Sequence, residues 1–255
     1  MGNALQEPEP ATALVIIPTY NERENIVALI PALLNDPRFD VLVVDDNSPD
    51  GTALVVEEMA DTYPGRVFLL RRPGKLGLGG AYIAGFRWAL LQSYDLICQM
   101  DADFSHDPAD LPRLVDASRT ADLVLGSRYV GGGRTVDWSP ARQAISRAGS
   151  LYAQTILGLP YRDLTGGFKC FRRRVLETID LGAVNSTGYV FQIEMTYRAH
   201  LAGFKITEIP IVFRERRCGE SKMTGRIVME AVFRVGQLRW IGERRQPLAQ
   251  QSRVP

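Results

Sequence analysis

With 255 residues and 45% apolar content, the chain is long enough to bury a substantial core as one large α/β domain or two small ones. Its 30 lysines and arginines against 29 aspartates and glutamates leave a formal charge of +1, which removes any global electrostatic case for nucleic acid as a partner. The three widely spaced cysteines, Cys98, Cys170 and Cys218, match neither a disulfide framework nor a C-x-x-C metal site and predict a reducing, cytosolic compartment.

Residues 1–11 carry acids and prolines where a secretory signal needs a basic start and an apolar run, and are predicted to be disordered; Gln6 stands where an acylation signal needs Ser or Thr. ATALVIIPTY reads as a strand ending at Pro18, and NERENIVALIPALL as a helix with early acids and helical apolar spacing. The rhythm repeats: FDVLVVDDNSPDG is a buried strand ending in acids and a turn, TALVVEEMADTY a helix, RVFLLRR a strand and GLGGAYIAGFRWALLQ a glycine-led helix. YDLICQMDADFSH is a further strand ending in acids, DPADLPRLVDAS a helix and ADLVLGSRY a strand. After residue 130, VGGGRTVDWSPARQ reads as loop, SRAGSLYAQTILG as helix, DLTGGFKCFRR as turn plus strand, GYVFQIEMTYRAHLAG as helix and FKITEIPIVFRER as one alternating strand. Residues 226–242 form an amphipathic basic helix, and 243–255 a polar tail. No run of about eighteen apolar residues occurs, so no segment is predicted to span a bilayer. No repeat or linker divides the chain.

Near-continuous apolar strands alternating with helices predict an α/β fold, a mostly parallel sheet covered on both faces. Ligands of such sheets gather at the carboxyl ends of the strands, where Pro18–Glu22, Asp45-Asp46 and Asp101-Ala102-Asp103 all fall. Asp101 and Asp103 flank a small residue, a spacing that suits a hard cation such as Mg²⁺ or Mn²⁺ completed by substrate phosphates; a solvated turn or cap is the alternative. Asp46 suits a ribose or base, against a plain turn before Asn47-Ser48-Pro49-Asp50-Gly51; Tyr20 suits stacking on a base, and Glu22 suits the start of a helix. Arg128 follows a strand at the same edge and suits a phosphate, with a salt bridge as alternative. Arg216 and Lys222 bracket a polar loop able to close over phosphates, though any basic surface loop looks similar. Asp163, Gln192 and Glu194 stand where they could face sugar hydroxyls, or serve as turn and helix-surface residues. Gly79-Gly80 resembles part of a phosphate loop, but neither G-x-x-x-x-G-K-[ST] nor a full G-x-G-x-x-G is present; His106 and His200 are too separate for zinc, and no nucleophile elbow occurs.

Taken in order, PTYNERENI, VVDDNSPDGT, KLGLGGAYIAGF, MDADFSHDP, GSRYV, DLTGGFKCFRR, GYVFQIEM and GESKMTG resemble the family 2 inverting glycosyltransferases, more narrowly the polyprenyl- or dolichyl-phosphate mannose synthases of soluble type. The resemblance runs from about residue 12 to 225. It implies a GT-A domain over 12–225 that binds GDP-mannose with Mg²⁺ or Mn²⁺ and transfers mannose, with inversion, to a polyprenyl phosphate. It also implies that Pro18, Tyr20, Glu22, Val44 and Asp46 surround the nucleotide, that Asp101, Ala102 and Asp103 hold the metal diphosphate, and that Arg128, Arg216 and Lys222 contact phosphates. Arg142 or Arg147 is expected to help hold the acceptor phosphate. Some relatives carry Gln as a further metal ligand where this chain has Ser105. A phosphate monoester is already anionic near neutral pH, so no catalytic base is expected. The basic, aromatic final helix suits a peripheral position on the cytoplasmic face of a membrane, packing on the domain, or a membrane-protein partner. The alternatives are a glucosyltransferase using UDP-glucose and a non-catalytic nucleotide-sugar-binding subunit.

Overall fold

The computed structural model describes residues 12–186, 188–215 and 232–240. The segment 1–11, Arg216, Cys218, Lys222, the tail 243–255 and much of the helix expected over 226–242 lie outside the described residues.

Two seven-residue strands, β1 (Ala13–Thr19) and β2 (Phe39–Asp45), are buried along almost their whole length, as strands covered on both faces must be. They pair in parallel with each other, and then with β4 (Leu96–Gln99) on one side and β3 (Val67–Arg71) on the other. Beyond β4 lie β7 (Lys169–Arg172), β5 (Leu123–Ser127) and β8 (Ile206–Pro210), giving the order β3-β2-β1-β4-β7-β5-β8. Only β7 runs antiparallel to its neighbours, so β5 ends at the same edge as β1, β2 and β4. The fold is thus the mostly parallel, GT-A-like sheet expected.

Side chains alternate across the strands and build a core on each face. Val15, Ile17, Val41 and Val43 pack with Ile26, Leu29, Ile30 and Leu33 of α1 (Arg23–Leu34), Val56 of α2 (Thr52–Thr62) and Leu111, Leu114 and Val115 of α4 (Leu111–Ala117). On the other face Leu14, Ile16, Leu42 and Val44 meet Tyr82 and Phe86 of α3 (Leu78–Leu90), Val175 and Leu176 of α6 (Arg173–Thr178), and Phe191 and Met195 of α7 (Gly188–Leu201). Gly85 permits that contact, because a Cβ there would lie 2.7 Å from Ile16 Cγ2.

Three sequence expectations need correction. The strand expected over FKITEIPIVFRER is two strands: Pro210, lacking an N–H, ends β8, and β9 (Val212–Arg214) leaves the main sheet to pair with β6 (Arg134–Val136). β6 itself lies in the segment expected to be loop. The next helix, α5 (Pro140–Leu157), starts earlier than expected because Ser139 caps the Arg142 N–H and Pro140 occupies the first turn; Gly158, at φ +68°, ends it. Cys98 and Cys170 face each other across β4 and β7 as buried free thiols.

Residues 232–240 are helical and bury Val235 and Leu238 against Ala153 and Leu157 of α5 and Val190, Ile193 and Tyr197 of α7. Packing on the domain, one of the expected roles of this helix, therefore holds for that face. Among the described residues no helix is long and apolar enough to cross a membrane.

Candidate functional site

The carboxyl ends of β2, β1 and β4 lie side by side, and the backbone is strained there. Asn21, Asn47 and Phe104, each just beyond one of these strands, hold φ of 61°, 59° and 58°. Left-handed conformations at non-glycine residues cost energy and concentrate where a loop is fixed for function, most notably at a bulky residue such as Phe104.

Asp45 holds the first two loops together. Its buried carboxylate accepts from Thr19 Oγ1 at 2.8 Å, Ser48 Oγ at 2.6 Å and Ser48 N at 2.9 Å, and Ser48 Oγ in turn accepts the Asn21 N–H. Asp50 accepts from Thr52 N and Arg23 N, while Thr52 Oγ1 accepts the Glu22 N–H. Asp46 is directed elsewhere, into a 2.7 Å ion pair with Arg72. Burial pushes its carboxyl above the ordinary value, against the pull of Arg72. Glu22 precedes α1 without capping it, and its Oε2 accepts from Asn25 Nδ2. Pro18 is partly exposed at the end of β1. The Tyr20 ring is exposed, with the Lys75 ammonium 4.1 Å from its centroid. Val44 is fully buried beneath α3, so its side chain has no path to a ligand.

At the end of β4, Ala102 turns into the core and Asp101 and Asp103 stay at the edge. Asp101 Oδ1 accepts from Tyr82 OH at 3.3 Å, and its N–H donates to His106 Nδ1 at 3.2 Å. His106 is buried, stacked 4.7 Å from Phe168 and edge-on to Phe213. Burial lowers its basicity, so it is a neutral acceptor holding the Asp101 backbone. Asp103 Oδ1 accepts from Ser105 N at 3.0 Å, and the Ser105 carbonyl accepts from Arg214 N. Ser105 thus shapes the loop through its backbone. Among the described residues no group of three His, Cys, Asp or Glu side chains gathers as a closed metal cage. Two hard carboxylates without such a cage fit a cation that keeps waters and takes substrate phosphates, the mode typical of Mg²⁺.

Arg128 differs most from the expectation of a phosphate contact. Its N, Nε and Nη2 donate to Asp163 at 2.9, 2.7 and 2.6 Å, and Nη2 also reaches Thr165 Oγ1 at 2.8 Å. Both partners are at most 5% exposed, so the salt-bridge alternative is correct, but buried. Burial alone would raise the Asp163 carboxyl, yet Arg128 holds it below the usual range. Asp163 therefore does not face sugar hydroxyls; nor does Glu194, which is buried against Arg198 at 2.6 Å. Arg142 lies over Trp138 and pairs with Glu215, whereas Arg147 is exposed beside Tyr129.

Residues 14–180 match glycosyl transferase family 2. The chain belongs to this family. It is 52% identical, over 91% of its length and 97% of the relative's, to an undecaprenyl-phosphate mannosyltransferase of Micrococcus luteus. It is 47% identical, over 90% and 89%, to a polyprenol monophosphomannose synthase of Mycolicibacterium smegmatis. Its fold is that of glucosyl-3-phosphoglycerate synthase of Mycobacterium tuberculosis, solved with Mn²⁺, UDP-glucose and phosphoglyceric acid (TM-score 0.64, 19% identity, 90% and 79% covered).

In this family 2 glycosyltransferase, four residues at the edge escaped the sequence reading as participants: Arg72, Tyr82, His106 and Lys169. Arg72, Tyr82 and Lys169 act through partners far along the chain, for which a single sequence carries no periodic signal, and His106, though close to Asp101 in sequence, is held by the distant Phe168 and Phe213. The glycines that resemble a phosphate loop are packing devices. A Cβ at Gly79 would lie 2.7 Å from the Ser186 carbonyl, and one at Gly80 would lie 2.9 Å from the Arg72 guanidinium that pairs with Asp46.

Proposed function

We propose that this chain transfers mannose from GDP-mannose to a polyprenyl phosphate with inversion at the anomeric carbon. The observation that carries the reading is the similarity, over nine-tenths of the chain, to two proteins named for mannosyl transfer to polyprenyl phosphate or for polyprenol monophosphomannose synthesis. The edge chemistry agrees with it. Asp101 and Asp103 would hold Mg²⁺ or Mn²⁺, which would neutralise charge on a departing diphosphate. Asp46, Pro18, Tyr20 and Glu22 would surround the nucleotide, Val44 contributing backbone alone. Arg216 and Lys222 would bind phosphates, with Arg142 and Arg147 toward the acceptor. Arg128 would position its loop through Asp163. The acceptor phosphate oxygen forms a bond to the anomeric carbon as the bond to GDP breaks; being anionic already, it needs no base, and buried His106, committed to the Asp101 N–H, would supply none.

The lipid acceptor is reached from the membrane surface. Phe233 and Trp240 are 69% and 66% exposed on the helical residues 232–240, and Leu151 and Ile145 are exposed on the adjoining α5. Such aromatic and aliphatic groups among Arg147, Arg234 and Arg239 suit a peripheral position on an anionic, cytoplasmic leaflet. The acceptor distinguishes this reading: polyprenyl phosphate should take up mannose and the matching polyprenol should not. Equal transfer to the alcohol would contradict it.

A further inference from the structure

Gln192 carries an unexplained amide. Its side chain is 1% exposed, and neither Oε1 nor Nε2 has a hydrogen-bond partner. Buried amides are rarely left so, since a leucine of similar volume would avoid the loss of both hydrogen bonds. The residue is also held firmly: its carbonyl accepts from Lys169 Nζ at 2.6 Å and from Thr196 Oγ1 at 3.1 Å. What the amide faces is legible at Gly167. The point a Cβ would occupy there lies 3.4 Å from Gln192 Nε2 and 3.7 and 3.8 Å from the two Asp101 carboxylate oxygens. Apart from Gly167's own chain neighbours no heavy atom lies closer, and Gly167 is only partly buried, so the amide nitrogen and the carboxylate proposed to hold the metal diphosphate both border the partly exposed surface at Gly167.

We infer that Gln192 reads hydroxyl groups of the donor sugar in the space over Gly167 beside Asp101. The chemistry selects the ligand class. Phosphate oxygens only accept and would satisfy Nε2 alone, whereas a pair of sugar hydroxyls both donates and accepts and satisfies both amide atoms. Gly167 is required because a methyl group would occupy the space the sugar needs. Lys169 and Thr196 act through the Gln192 backbone and are positioning residues.

The inference rests on the proposed nucleotide-sugar site, and its test separates the two. Affinities of the full chain for GDP-mannose, GDP, UDP-glucose and UDP are measured calorimetrically with Mg²⁺ present, for wild type, Gln192→Leu and Gly167→Ala. Both variants should weaken binding of the preferred nucleotide-sugar by about tenfold to a hundredfold, as expected for two lost hydrogen bonds, and leave the free diphosphate within about twofold. Gln192→Leu should keep or raise the melting temperature. Nucleotide-sugar affinity within about twofold of wild type would overturn the inference and assign the amide to buried water; equal losses for sugar-linked and free nucleotide would also overturn it. Gly167→Ala, which introduces only ordinary contacts, decides the matter if Gln192→Leu folds poorly. A wild type preferring UDP-glucose would overturn the proposed donor while leaving Gln192 readable on that pair; binding of neither pair would overturn both.

Discussion

Removing the Asp163 carboxylate should destabilise the fold far more than an ordinary polar substitution. Asp163→Ala deletes the acceptor of three Arg128 hydrogen bonds and strands a guanidinium that is 5% exposed. Breaking a buried pair from one side costs roughly 3–5 kcal/mol, because the remaining charge keeps its desolvation penalty without its partner. For a chain of this length that is a fall in melting temperature of roughly 10 °C or more. Replacing both partners, as Arg128→Met with Asp163→Leu, removes the stranded charge and should cost clearly less than Asp163→Ala alone. The pair's pH dependence follows from the lowered Asp163 carboxyl: its contribution is complete above the unfolded value near 3.8 and is lost only as pH falls through the folded value. Thermal unfolding followed by circular dichroism at pH 7.5 reads all three proteins. A shift of less than about 2 °C for Asp163→Ala, or a double variant no more stable than Asp163→Ala, would refute the scaffold role of Arg128.

Two further outcomes are expected. Burial, opposed by the charge of Asp163, brings the Lys169 ammonium down to about 7 from 10.5. Below pH 7 both folded and unfolded states hold the proton; between about 7 and 10.5 only the unfolded state does, so stability should rise with pH across that window. Lys169→Met should remove this slope; an unchanged slope in denaturant titrations would exclude Lys169 as its source. Separately, Phe233→Ser with Trp240→Ser should lower sedimentation with anionic vesicles by about tenfold, since two large exposed apolar groups are lost. Undiminished sedimentation would remove this face from membrane contact.

Much of this architecture is legible in sequence because it rests on local patterns. The apolar runs of β1 and β2 and the i, i+3, i+4, i+7 spacing of Ile26, Leu29, Ile30 and Leu33 announce their elements directly. The placement of Asp46 and of Asp101 and Asp103 at one edge follows from parallel strands. Partners across the chain are not legible. Arg128 follows a strand at the expected edge, but the carboxylate that claims it is 35 residues away, so a cation suited to phosphate is instead part of the scaffold. His106 is five residues from Asp101, yet its role depends on Phe168 and Phe213 closing over the ring. Pro210 is readable as a strand breaker, but where the chain goes next depends on β6, whose three residues carry almost no strand signal.

The most direct test of the account supplies radiolabelled GDP-mannose or UDP-glucose with polyprenyl phosphate and Mg²⁺, and follows label into the organic phase for wild type and Asp103→Ala. Label from GDP-mannose should enter the lipid, should stop when the metal is chelated, and should fall at least a hundredfold in a folded Asp103→Ala protein, about the loss expected when a main electrostatic stabiliser is removed. Lipid labelled only from UDP-glucose, or undiminished turnover by Asp103→Ala, would contradict it.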